Sequence, residues 1–145
     1  MKMIALLFFL AITLYFVWRA NLSSGKIKLV SVGKGLIGVF LGVIVLGFFL
    51  KLLVAVIPGF TNDAAGDLME EIGASFIVVW GMGFLIVAIS VIFGRIMDFH
   101  KHYNFENYKK FSPVTSKLAP GFLIFAKCLV SLGAVLMLYG IWLTN

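Results

Sequence analysis

Acidic residues are scarce in this chain: six Asp and Glu stand against twelve Lys and Arg in 145 residues, and none of the six falls inside a long apolar run. A proton- or sodium-coupled transporter, including the small four-span drug exporters, needs a carboxylate at mid-membrane, and here that group is missing. Cysteine is reduced to Cys128, which excludes an internal disulfide and reads as a small lipid- or helix-facing residue. No glycine-rich phosphate loop, G-x-S-x-G, H-E-x-x-H or cysteine pair is found, so neither an enzyme nor a bound cofactor is expected. His100 and His102 flank Lys101, but two ligands are too few for a metal site.

What the chain has in surplus is apolar. Hydrophobic residues make up 62% of it and charged residues 12%, against roughly 45–50% and about 25% in soluble domains. A soluble fold of this length has too much surface to bury so many apolar side chains. Lipid must be part of the solvent. The expectation is an all-α integral membrane protein, a single membrane domain over residues 1–145, since a lone strand in lipid leaves its backbone unsatisfied.

Four runs fit helical spans: residues 3–22, 35–57, 75–94 and 121–143. The first lacks a small-residue cleavage site and Arg19 directly follows its apolar part, which favours a retained anchor over a signal peptide. Pro58-Gly59 should end the second. Arg95 closes the third, Ser112-Pro113 should break the chain ahead of the fourth, and Pro120 suits the fourth's first turn. Charge then orients the bundle. The loop after span one carries Arg19, Lys26, Lys28 and Lys34, and the loop after span three carries Arg95, Lys101, Lys109, Lys110 and Lys117. The loop between them is acidic, with Asp63, Asp67, Glu70 and Glu71. Basic loops stay in the cytoplasm, so both termini and the acidic loop should lie outside, with Lys2 the one dissenting charge. Trp18, Tyr103 and Tyr108 fall at the inner boundary and Tyr139 and Trp142 at the outer one, as interfacial aromatics do. The net charge of +6 is thereby a topology signal rather than a sign of nucleic-acid binding. Two tandem hairpins are a further expectation: residues 11–16 resemble residues 88–93, and Leu46-Gly47 and Leu132-Gly133 occupy comparable places, as in a parallel repeat.

In the acidic loop, Ala65, Leu68, Met69 and Ile72 follow one helical stripe with the acids opposite. A short amphipathic interfacial helix is expected over 63–72, capped by Asn62 and stopped by Gly73, its apolar face on the outer leaflet. The acidic side, above all Asp67, Glu70 and Glu71, could receive a basic partner. Lys51 and Lys127 lie within spans, where charge is costly. Each can snorkel to the nearer surface, and any intramembrane counter-charge would have to come from another chain or a ligand such as a lipid phosphate, unless Lys51 bends to the outer-loop acids. Gly38 and Gly42 form a G-x-x-x-G pair that admits a close helix, in the bundle or on a partner. Tyr103, Phe105, Tyr108 and Phe111 beside Lys109 and Lys110 read as a segment touching anionic headgroups at the cytoplasmic loops.

These features lead to a non-catalytic accessory or structural subunit of a larger membrane complex of the secretion or transport type, in a bacterial inner membrane. Its expected partners are lipid and other membrane chains. Two alternatives remain open: a membrane immunity or exclusion protein that neutralises a toxin or competing element, and a small homo-oligomeric channel or transporter. Thr13, Ser90 and Ser131 are meagre material for the lumen of the latter.

Overall fold

A computed structural model describes residues 2–20 and 26–144, and every regular element among them is helical. In chain order these are α1 (Lys2–Arg19), α2 (Lys26–Val56), α3 (Asn62–Leu68), a single π-helical turn (Met69–Gly73), α4 (Ala74–Tyr103) and α5 (Phe105–Leu143). Four stretches are long and apolar enough to cross a membrane: α1, Leu29–Val56 of α2, the continuous run Asn62–Tyr103, and Ser112–Leu143 of α5. By the length and composition of its helices, the chain is a multi-pass membrane protein.

Several boundaries differ from the sequence reading, and each has a local cause. α1 stops at Arg19, short of the expected residue 22, and residues 21 and 22 lie outside the described residues. α2 starts at Lys26, well before residue 35, because Leu29 and Val32 pack onto the bundle core. It ends as anticipated at Pro58-Gly59. Phe60 N–H donates to Ile57 O at 3.2 Å, and Gly59 has φ +92°, a conformation that favours glycine.

α3 is capped by Thr61, one residue earlier than expected, whose hydroxyl accepts the Ala64 N–H at 3.2 Å. Gly73 does not stop it. The π turn carries the helix straight into α4, and the Ser75 hydroxyl donates to Glu71 O at 2.6 Å. The stripe expected to lie on lipid is divided: Met69 packs at Gly47 of α2 and Ile72 against the cluster of Phe9, Val78 and Leu138, while Leu68 is exposed.

α5 is the largest departure. It begins at Phe105 and runs through both Pro113 and Pro120, so Ser112-Pro113 is not a break and Pro120 is not a first-turn residue. Each proline removes the helical donor for the carbonyl four residues earlier, which belongs to Lys109 and Ser116. Both residues are exposed. Asn104 alone separates α4 from α5, with φ −144° and ψ 60°. Its N–H donates to His100 O at 3.0 Å and its carbonyl accepts from Tyr108 N at 2.9 Å.

α1, α4 and α5 pack against one another in a three-helix core. The buried positions recur at helical spacing: Phe9, Thr13 and Val17 on α1, and Leu123, Ala126, Val130, Ala134 and Leu138 on α5. Apolar side chains gain little by leaving lipid, so close packing of small residues must hold these helices together. α2 stands apart. It packs on α4, α3 and the π turn, and among the described residues its backbone approaches neither α1 nor α5. The two hairpins of the sequence reading are therefore unequal: the backbones of α4 and α5 approach each other, whereas among the described residues those of α1 and α2 do not.

Candidate functional site

Much of α2 is left uncovered by the bundle. Leu50 is its buried residue, while Phe40, Leu41, Ile44, Val45, Phe48 and Phe49 are exposed. A helix apolar all round is covered by lipid or by another chain. Gly38 and Gly42 lie at the edge of this exposed face, in a groove shared with Val39 and Val43 of α2 and Phe76 of α4, and a Cβ added to either would meet nothing within 4 Å. The G-x-x-x-G pair does not serve packing inside the chain. A different glycine does: a Cβ at Gly35 would stand 2.5 Å from the Trp80 ring, so Gly35 is the residue that lets α2 close on α4. Spacing alone does not reveal which glycine faces a tryptophan, so the sequence does not single out Gly35.

The two intramembrane lysines have different fates. Lys127 on α5 is buried, and its ammonium donates to the Trp18 carbonyl of α1 at 2.9 Å. It also lies 5.7 Å from the centre of the Trp18 ring. The last carbonyls of a helix have no partner within it, and the helix dipole makes that end negative. Lys127 thus finds its counter-charge within the chain, in a backbone terminus rather than in a foreign acid or a lipid. Lys51 on α2 is exposed. It borders an apolar groove of about 370 Å³ between α2 and α3, with Gly47, Asn62, Ala65 and Met69 along the walls.

The acids of the middle loop are divided. Asp67 and Glu70 remain exposed, and Glu71 forms an ion pair with Lys2 at 2.8 Å. That pair gives the dissenting Lys2 a local reason to sit beside the acidic loop. Ser75 completes the joint at this end of the molecule: its hydroxyl accepts the Trp142 indole N–H at 2.8 Å while donating to Glu71 O. Trp142 is accordingly buried and stacked on Phe9, with ring centres 5.9 Å apart, rather than facing an interface. Of the other polar residues in the spans, Thr13 donates to Phe9 O at 2.7 Å and Ser90 to Ile86 O at 2.9 Å. Both hydroxyls are spent on their own helices. His100 and His102 lie on the last turn of α4, where residues two apart point in different directions. No cluster of three potential metal ligands occurs among the described residues.

Comparison with family models, with curated proteins and with solved structures finds no match for this chain.

Proposed function

We propose that this chain is a non-catalytic accessory subunit of a larger inner-membrane complex of secretion or transport type, with α2 as the helix that meets the partner. Both termini and the acidic loop face away from the cytoplasm, and the basic loops contact anionic lipid within it. The supporting observation is the surface of α2 at Gly38 and Gly42, where a Cβ added to either would meet nothing within 4 Å. Small residues at this spacing let a second backbone approach closely. Lys127, satisfied internally, drops out as a partner contact, while Lys51 stays available beside the same helix.

The test is native mass spectrometry of the tagged chain, gently extracted from its host. A second membrane protein in fixed ratio is the expected result, lost on Gly38→Leu with Gly42→Leu while the bundle itself stays folded. Recovery of only the chain and its multiples would defeat the subunit reading. A membrane immunity protein is the second reading, favoured by the exposure of Asp67 and Glu70. It predicts that Asp67→Lys with Glu70→Lys abolishes protection against a basic membrane toxin and leaves complex formation unchanged.

A further inference from the structure

α1 and α2 both pack on α4 while their backbones stay apart, and this leaves a cleft of about 210 Å³ with α4 as its floor. Phe16 of α1, Val32 of α2, and Val79, Trp80, Gly83 and Val87 of α4 line it. Trp80 is held in place from two sides: its ring lies 5.6 Å from that of Phe16, and it occupies the space left by Gly35. Gly83 keeps the floor low, since a Cβ there would lie 3.7 Å from the Phe16 Cβ. Pockets that enclose a drug-sized ligand usually run to roughly 300–1,000 Å³. This narrower, apolar space suits a single flexible alkyl chain.

Among the described residues, the charged side chain lining the cleft is Arg19, on the last turn of α1. Its Nη1 donates to the Tyr15 hydroxyl at 3.1 Å, and its guanidinium lies 5.7 Å from the Tyr15 ring centre. Tyr15 thereby orients the group and engages one of its five N–H donors. The planar fork of arginine matches phosphate oxygens. Among the described residues no acid lines the cleft, and the negative end of α1 is already capped by the Lys127 ammonium on Trp18 O. An apolar slot thus ends at an oriented cation, in surroundings that do not oppose an anion.

We propose that the cleft between α1 and α2 binds one acyl chain of an anionic phospholipid, with the lipid phosphate on Arg19. The bilayer leaflet at the basic end of the bundle supplies it. The site lies away from the outer face of α2 and does not depend on the subunit reading.

The full-length chain would be exchanged into nanodiscs holding equal amounts of phosphatidylglycerol and phosphatidylcholine with matched acyl chains. Retained lipid is then counted by native mass spectrometry, and folding is checked by circular dichroism. The wild-type chain should keep one phosphatidylglycerol in preference to phosphatidylcholine. Arg19→Gln should cut that preference roughly tenfold and Arg19→Lys much less, because the charge survives. Val32→Trp, which fills the slot, should remove both lipids. If Val32→Trp does not fold, Gly83→Ala, whose Cβ fits without a clash, should lower retention of both. An unchanged preference in Arg19→Gln would overturn the proposal, as would undiminished retention in the filled variants. A lipid-free species of twice the chain's mass would overturn it in favour of a second copy as the occupant.

Discussion

Lys127 shows how one contact changes the meaning of a residue. Within an apolar run, a lysine either snorkels or seeks a foreign counter-charge, and nothing in the sequence near it decides between them. The partner is the carbonyl of Trp18, 109 positions away, a group every residue possesses and no sequence pattern marks. Lys127→Met removes the donor and leaves the end of α1 unsatisfied. A hydrogen bond from a charged group contributes about 1.5–3 kcal/mol in soluble proteins, and less within bilayers. A loss of about 1–2 kcal/mol is therefore expected, read as a lower midpoint of thermal unfolding in detergent. No change in stability would show that the ammonium is held elsewhere. Trp142 makes the same point with a different group. Its position near the chain end fits an interfacial ring, and only the Ser75 hydroxyl and the Phe9 ring reveal it as core.

Among the elements, α2 and α5 carry the lessons. The α2–α4 contact depends on Gly35, because a Cβ there would stand 2.5 Å from the Trp80 ring. Overpacking of this kind costs about 1–3 kcal/mol. Gly35→Ala should destabilise the isolated chain by that amount, and Trp80→Ala in the same chain should recover part of it, the signature of direct coupling. Gly38→Leu and Gly42→Leu point into open space. In the isolated chain they should fall within roughly 0.5 kcal/mol of the wild type. A large effect in the latter pair would place those glycines inside the bundle. In α5, proline punctuation was misleading. Pro113 and Pro120 were read as a break and a start, yet the helix continues through both. Prolines are tolerated in helices when other groups satisfy the carbonyls they free, a condition set by exposure rather than by the residue itself.

At the scale of the whole molecule, the ends of the bundle are chemically distinct. One end joins Lys2 to Glu71 and Trp142 to Ser75, bringing α1 and α5 together beside the acidic loop. The other end holds Arg19 at the end of α1 and Lys109 and Lys110 in the first turns of α5. The proposed orientation is tested with single cysteines in a Cys128→Ser chain. In intact cells a membrane-impermeant maleimide should label Asp67→Cys and spare Lys109→Cys until the membrane is permeabilised. The reverse pattern would invert the protein in the bilayer.

The sequence by itself determined that the chain is helical, that it lies in a membrane and that it has four apolar spans. Those properties follow from the composition and length of apolar runs, which act locally and need no partner. The Ile57–Phe60 turn was legible for the same reason: Pro58 and Gly59 impose it on their own backbone. Tertiary structure alone decided which helices touch, which of the glycines face a neighbour, and which lysine is already satisfied. It also decided that the middle loop continues as helix into α4, because Met69 packs at Gly47 and the Ser75 hydroxyl accepts the Trp142 indole N–H. These outcomes depend on groups distant in sequence. In an apolar helix with similar residues on every side, no periodic pattern marks the face that will be covered.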